Sequence, residues 1–187
     1  MRVTVRAVRG GDWDAVVALE AAAYGAAGLS EGRAALESRA AASPATCFVL
    51  DHGSRTAGYL LALPYPMFAY PDLDRTEDVV FHSRNLHLHD LVIAEDLRGR
   101  GLGRVLLGRL VAVAGTKGYG TVSLVAVGGS DTFWAASGFR PHRDVTPPAG
   151  YGADAVYMSL AVPDVRGGRT DLADAPSHQA PMKDEVG

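Results

Sequence analysis

The stretch from residue 91 to residue 104 is the part of the sequence that most constrains the fold. It reads LVIAEDLRGRGLGR, which is an apolar strand end, a short turn with three glycines and the start of a helix. A helix that begins after a glycine-rich turn presents free backbone N–H groups, and its dipole adds partial positive charge. Three arginines of this stretch add formal charge: Arg98, Arg100 and Arg104. The segment therefore predicts a binding site for a pyrophosphate group.

Two other phosphate-binding motifs do not fit this segment. A nucleoside triphosphate P-loop ends in Gly-Lys-Ser/Thr, which is absent here, and a dinucleotide site needs G-x-G-x-x-G at the start of a βαβ unit. The observed spacing is Arg98-x-x-Gly101-x-Gly103. A tight turn that binds nothing is the alternative.

The hydrophobic pattern around the turn predicts one domain, residues 1–163, built from strands and helices. Strands are predicted over residues 2–8, 47–51, 56–63, 86–93, 121–127, 138–142 and 155–162, and helices over 12–24, 30–42, from about 104, and 130–137. An irregular connection rich in aromatic residues runs from Pro64 to Asn85. Residues 164–187 contain no aromatic residue, so we expect a disordered tail that cannot offset its ordering entropy.

Charge and hydropathy exclude several classes of partner. The formal net charge is −3, whereas a nucleic-acid-binding surface usually shows a basic excess, so we expect no nucleic-acid partner. No apolar run approaches the roughly 18 residues that span a bilayer, so we expect no membrane partner. The amino terminus lacks the apolar stretch of a signal peptide, which predicts a cytoplasmic protein. Monomer and homodimer both stay open.

The glycine-rich spacing resembles the Arg/Gln-x-x-Gly-x-Gly/Ala signature of the GNAT superfamily of N-acetyltransferases. Further along the chain, residues 133–139 read FWAASGF, which resembles the F-Y-x-x-x-G-F segment of that superfamily. The resemblance extends from residue 2 to about residue 162. It implies an α/β fold with a mixed, largely antiparallel sheet of about seven strands flanked by helices. It also implies acetyl-CoA as the co-substrate, with its pyrophosphate held by the turn.

Two histidines precede the turn in the predicted strand LHLHDLVI. Residues two apart in a strand share a face, so we expect His87 and His89 to lie together, roughly 7 Å apart. By the same alternation Asp90 lies on the opposite face, where we expect a structural role. An amine is protonated at neutral pH and must lose a proton before it attacks a thioester, and imidazole can accept that proton. A His-x-His pair can also bind metal, but no further ligands accompany it at recognisable spacing, so we predict no metal site.

The motif Leu-His-Leu-His-x-Leu followed by the glycine-rich turn is similar to the arylalkylamine (serotonin) N-acetyltransferases. That resemblance implies that His87 and His89 are the proton-removing pair. It also implies the residues that contact acetyl-CoA: Leu91, Val92, Ile93, Arg98, Gly99, Arg100, Gly101, Leu102, Gly103 and Arg104.

Trp134 departs from this family pattern. The family has a tyrosine there, credited with protonating the leaving thiolate, whereas an indole N–H donates a hydrogen bond but is not an acid near neutral pH. We therefore expect catalysis that is retained but altered, with Trp134 as a hydrogen-bond donor to the sulfur. Simple core packing is the alternative role for this residue.

Together these features predict transfer of an acetyl group from acetyl-CoA to a primary amine of a small molecule by direct attack, with an arylalkylamine as one candidate. The connection 64–85 and the loop 146–152 would form the wall of the acceptor site. Five aromatic residues in these two segments and the last strand suit a flat amine: Tyr65, Phe68, Tyr70, Tyr151 and Tyr157. The acidic residues of the connection instead suit a polyamine: Asp72, Asp74, Glu77 and Asp78. Acetylation of a protein amino group and a non-catalytic acyl-CoA-binding module are the two alternative functions.

Overall fold

The computed structural model describes residues 2–163. The predicted tail, residues 164–187, lies outside the described residues. The strands are β1 (Val3–Ala7), β2 (Phe48–His52), β3 (Arg55–Pro64), β4 (Asn85–Ile93), β5 (Thr121–Ala126), β6 (Arg140–Pro141) and β7 (Val156–Ala161). The helices are α1 (Trp13–Tyr24), α2 (Arg33–Ala42), α3 (Leu102–Lys117) and α4 (Asp131–Ala136).

The strands form one sheet in the order β1-β2-β3-β4-β5-β7-β6. Every pair is antiparallel except β4 and β5, which are parallel. The predicted fold class, a mixed and largely antiparallel sheet of seven strands flanked by helices, is therefore confirmed.

Helices cover both faces of the sheet. Alternate residues of β2 and β3 contact different cores: Phe48 and Leu60 belong to the core beneath α3, whereas Val49 and Tyr59 belong to the core beneath α1 and α2. Because both faces are covered, the β3 residues 57–63 are buried without a break.

The parallel strands β4 and β5 separate soon after they meet. Their pairing joins Asn85–His87 to Thr121–Ser123 and then ends, although β4 continues to Ile93. A cleft therefore opens between the carboxyl-terminal ends of the two strands.

A β-bulge in β4 changes which side chains share a face. Leu61 of β3 pairs with Asp90 and Ala62 pairs with Leu88, so His89 is an extra residue without a partner in β3. An extra residue shifts the alternation by one position. Asp90 therefore points toward α1 and α2, on the same side as the histidines. The prediction that Asp90 lies on the opposite face was wrong, because it assumed a regular strand.

Candidate functional site

A cavity of about 530 Å³ fills the cleft between β4 and β5. Its walls are the end of β4, the glycine-rich turn with the start of α3, the end of β5, and α4. Eight of the ten predicted acetyl-CoA contacts line it: Leu91, Ile93, Arg98, Gly99, Gly101, Leu102, Gly103 and Arg104. The other two do not: the Val92 side chain is buried beneath α1 and α2, and Arg100 is exposed, 3.4 Å from the Asp96 carbonyl oxygen.

Two glycines of the turn have different surroundings. Gly101 has φ 77° and is the residue directly before α3, a left-handed conformation that favours glycine. At Gly103, a Cβ would make ordinary van der Waals contacts, 3.4 Å from Phe133 and 3.5 Å from Leu91, so the first turn of α3 packs directly beside β4 and α4. The first N–H groups of the helix have no intrahelical acceptors, and they lie beside Arg98 and Arg104 in the cavity wall. This geometry fits a diphosphate group.

A second and much smaller cavity, about 50 Å³, adjoins the first. Five residues line both cavities: Tyr24, His89, Asp90, Val125 and Val127. The small cavity is also lined by Glu20, Glu31 and Tyr151. With Asp90, three carboxyl groups therefore surround it, and the β4 bulge forms the junction between the two spaces.

His89 is hydrogen-bonded to a buried carboxylate. Its Nε2 contacts an Oε2 atom of Glu31, which precedes α2, and its side chain is only 2 % exposed. A neutral imidazole bound in this way carries its proton on Nε2 and its lone pair on Nδ1. Within the described residues the buried Nδ1 has no partner. Burial alone would raise the pKa of Glu31, but the charges and hydrogen bonds of His89 and Arg39 outweigh it and lower that pKa.

Asp90 is the second ionisable group at the junction. It is buried, its Oδ1 accepts a hydrogen bond from the Tyr24 hydroxyl at 2.7 Å, and its Oδ2 accepts one from Tyr59. Burial raises the pKa of Asp90 to about 6, against the opposing effect of the Tyr59 hydrogen bond. Burial and then the charge of Asp90 raise the pKa values of both tyrosines well above their ordinary value.

Comparison with known families identifies the class of protein. Residues 13–139 match the model of the acetyltransferase (GNAT) family. The chain belongs to this family. A search of curated protein sequences finds no match to this GNAT protein.

Three solved structures share its fold. Ard1 from Thermoplasma volcanium has 17 % identity and TM-score 0.66, covering 87 % of this chain and 99 % of its own. A GNAT-like decarboxylase, GphF, in complex with isobutyryl-CoA has 21 % identity and TM-score 0.69, covering 86 % and 100 %. The PaiA N-acetyltransferase from Thermoplasma acidophilum, in complex with coenzyme A, has 12 % identity and TM-score 0.65, covering 86 % and 99 %. At these identities the likeness concerns the fold alone.

His87 and Trp134 occupy different environments in this GNAT fold. His87 is 1 % exposed, lies 6.4 Å from His89 between ring centroids, and lines neither cavity. Its Nδ1 lies 3.2 Å from the Ser123 hydroxyl, and burial, followed by the electrostatic effects of the neighbouring His89 and Arg39, lowers its pKa to about 3. Trp134 lines the large cavity and packs edge-on against Phe133 and Phe139.

Most of the aromatic residues predicted for the wall of the acceptor site contact one another and do not line the two cavities. Phe68 contacts Tyr157, and Tyr70 contacts both Tyr151 and Tyr157. Of the five aromatic residues proposed for the acceptor site, Tyr151 is the one that lines the small cavity, and its hydroxyl donates to the Pro71 carbonyl. The acidic Glu77 of the connection pairs with Arg39.

Glu20, Glu31 and Tyr24 were not predicted as site residues. One signal was available: Glu20 lies between Val16 and Tyr24 at helical spacing, so a carboxylate occupies the buried stripe of α1. Glu31 carries no such signal, since it lies in a loop. Among residues 2–163 no cluster of His, Cys, Asp or Glu suits a metal ion. None of the helices within this range is long and apolar enough to cross a membrane.

Proposed function

We propose that this GNAT protein transfers the acetyl group of acetyl-CoA to a primary amine of a small molecule. The observation that carries the proposal is the junction at the β4 bulge. There, a large cavity with a diphosphate cradle meets a small cavity lined by three carboxyl groups, and two proton acceptors lie between them. A reaction that joins an acyl donor to an amine needs this arrangement of two spaces and a base.

The large cavity suits acetyl-CoA in charge and shape. The start of α3, with Arg98 and Arg104 beside it, would hold the diphosphate. Leu88, Leu91 and Leu124 give the inner part of the cavity an apolar lining. The bound coenzyme supplies the acetyl group as an activated thioester.

His89 is the best placed residue to deprotonate the amine. Glu31 orients its imidazole so that the Nδ1 lone pair is free, which is the arrangement of a general base held by a carboxylate. His87 belongs to the proposed proton-removing pair, but it is buried and lines neither of the two cavities, which suits a positioning role better than contact with substrate.

The small cavity favours a compact aliphatic amine as the acceptor. Its volume of about 50 Å³ lies far below the roughly 300 Å³ at which pockets for drug-sized ligands begin. Glu20, Glu31 and Asp90 surround it with carboxyl oxygens that can accept hydrogen bonds from an ammonium group. An arylalkylamine would require the packed aromatic cluster to move, so we place it second.

A thiol-release assay with acetyl-CoA tests the proposal. The acceptors are ethanolamine, spermidine, phenethylamine, tryptamine and a lysine-containing peptide. We expect the highest kcat/KM with an aliphatic amine. Highest activity with tryptamine would make an arylalkylamine the preferred acceptor, and highest activity with the peptide would indicate a protein substrate. Tight acetyl-CoA binding by calorimetry without acetylation of any amine would contradict the enzymatic function.

The His89→Gln variant tests the base. An alkylammonium has a pKa near the ~10.4 of a lysine side chain, so near neutral pH nearly every acceptor must lose a proton. We expect kcat/KM to fall by about 10²-fold at pH 7, a typical size for loss of a general base, and by less at pH 9.5. His82→Gln, at an exposed site of the connection, is the matched control and should leave the pH profile unchanged. An equal fall in kcat/KM at both pH values would show that His89 does not act as the base.

A further inference from the structure

The leaving thiolate needs a proton that the α4 position cannot supply. Trp134 is the residue there, and an indole N–H does not ionise near neutral pH. Among the described residues that line the large cavity, the side chains with a hydroxyl group are Tyr24 and Ser130. A phenol, with a pKa near ~10, is a far stronger acid than an alcohol, so Tyr24 is the better proton donor.

Tyr24 lies where the acyl donor and the amine would meet in the proposed reaction. It is the last residue of α1, and its side chain lines both cavities at their junction. Its hydroxyl oxygen is 2.7 Å from Asp90 Oδ1. Asp90 in turn is held by Tyr59 at its other oxygen, so the Tyr24–Asp90 pair has a defined orientation.

We propose that Tyr24 protonates the leaving thiolate and that Asp90 replaces the proton, having received it from the attacking nitrogen. The inference rests on the proposed acetyl transfer. It assigns to α1 and β4 the acid that the resemblance assigns to α4.

The direction of the Tyr24–Asp90 hydrogen bond explains how the pair works. While Asp90 is ionised, the Tyr24 O–H points at Oδ1 and is not available to the sulfur. Once Asp90 is protonated, its own O–H becomes the donor to the Tyr24 oxygen, and the phenolic proton is free to point into the cavity. Proton uptake from the nitrogen therefore prepares the acid when the C–S bond breaks. Burial raises the pKa of Asp90 to about 6, which helps the carboxyl group hold a proton during turnover.

The protons and electrons balance in this scheme. The ammonium first loses one proton to His89, which returns it to solvent. The nitrogen then forms the C–N bond and loses its second proton to Asp90. As the C–S bond breaks, its electron pair stays on sulfur, Tyr24 protonates that sulfur, and Asp90 reprotonates the phenoxide. A phenoxide left alone would be costly, because an alkyl thiol has a pKa of only ~8.5, whereas burial and the charge of Asp90 raise the pKa of Tyr24 well above its ordinary value. The coupled transfer from Asp90 removes that cost.

The test compares Tyr24→Phe with two acetyl donors. Acetyl-CoA leaves as an alkyl thiolate that needs a proton, whereas S-(4-nitrophenyl) thioacetate leaves as a stable aryl thiolate that does not. We expect kcat with acetyl-CoA to fall about 10²-fold, while the acetyl-CoA Kd from calorimetry and the rate with the aryl thioester stay near wild type. An equal fall with both donors, or no fall with acetyl-CoA, would overturn the proposal.

Two further variants separate the acid from a hydrogen bond that merely supports Asp90. Tyr59→Phe removes the other hydrogen-bond donor to the same carboxylate, but Tyr59 does not line the large cavity. The fall in kcat with acetyl-CoA should therefore be smaller for Tyr59→Phe than for Tyr24→Phe. Trp134→Tyr in the Tyr24→Phe background places a phenol on α4 and should restore part of the acetyl-CoA rate. If Tyr59→Phe lost as much as Tyr24→Phe, the relay would be wrong. These comparisons require an active wild-type enzyme, so failure of the acetyl transfer itself is recognised first.

Discussion

At the scale of single residues, the most informative pair is two glycines that meet opposite conformational demands. Gly101 precedes α3 with φ 77°, and Gly108 lies inside α3 on its exposed face. A Cβ at either position would have no neighbour within 4 Å. Any difference between alanine variants therefore comes from the backbone, not from a clash within the protein.

Alanine at these two positions should change stability in opposite directions. Gly101→Ala forces a side chain into the left-handed region and should lower the free energy of unfolding by about 1–2 kcal/mol. Gly108→Ala should raise it by about 0.5–1 kcal/mol, because alanine loses less backbone entropy in a helix. Urea unfolding measures both. The acetyl-CoA KM should rise for Gly101→Ala alone, since the new methyl group projects where the anion would approach. A Gly101→Ala variant at least as stable as wild type would show that the turn does not require glycine.

At the scale of elements, Arg39 of α2 joins the connection to the candidate site. Its guanidinium is 1 % exposed and donates to Glu31 at 2.8 Å and to Glu77 at 3.1 Å. It also donates to the backbone carbonyls of Asp72 and Arg75 at 2.7 and 2.9 Å. One side chain therefore fixes the irregular segment against α2 and neutralises the carboxylate that orients His89.

Removal of this charge should be costly. Arg39→Met leaves the Glu31 and Glu77 carboxylates buried without their shared counterion, and breaking a buried pair in this way costs about 3–5 kcal/mol. Arg33→Met is the matched control on the same helix. Its guanidinium pairs with Asp14 and Glu37 at the surface, where solvent screens the charges, so we expect a much smaller loss. Urea unfolding measures the loss of unfolding free energy in both variants. Equal losses would show that the buried charge network of Arg39 contributes no more than a surface ion pair.

At the scale of the whole molecule, the buried His87 and Asp90 of β4 have opposite effects on how stability changes with pH in the acidic range. Burial lowers the pKa of His87 to about 3, so the unfolded chain binds a proton below about pH 6.5 that the folded chain does not, and stability falls on acidification. Burial raises the pKa of Asp90 to about 6, so the folded chain keeps a proton on this carboxyl group at pH values where the unfolded chain has lost it. The stability that Asp90 contributes is therefore present in acid and is lost as the pH rises from about 4 to 6. Between pH 4 and 6 the two effects have opposite slopes.

Single variants should reveal each slope as a difference from wild type. Asp90→Asn cannot ionise, so its stability relative to wild type should rise by about 2 kcal/mol from pH 4 to pH 7. His87→Gln should show the reverse, with a relative gain of about 3 kcal/mol as the pH falls from 7 to 4. Both variants also lose hydrogen bonds, which shifts each curve by a constant and leaves the slope as the readout. Differences that do not vary with pH would show that neither group is shielded from water.

Much of the architecture and most of the cradle could be predicted from the sequence, because the features involved are local. The seven strands follow the hydrophobic alternation, and the glycine-rich turn combines conformation, charge and a helix start within one short stretch. Eight of the ten predicted contacts line the large cavity for that reason. Val92 and Arg100 do not, since neighbours in a strand or turn alternate in direction even when the whole segment belongs to the site.

The arrangement at the junction was decided by the tertiary structure. The bulge that brings Asp90 beside His89 exists because β4 pairs with β3 out of register, and no pattern within β4 itself reveals it. Tyr24, Glu31 and Arg39 approach from α1, α2 and the loop between them, so their meeting depends on how the helices pack against the sheet. Local sequence therefore determined where a diphosphate would bind. Packing between elements distant in sequence decided which ionisable groups line the small cavity, because their burial and pKa values depend on neighbours that only the folded chain provides.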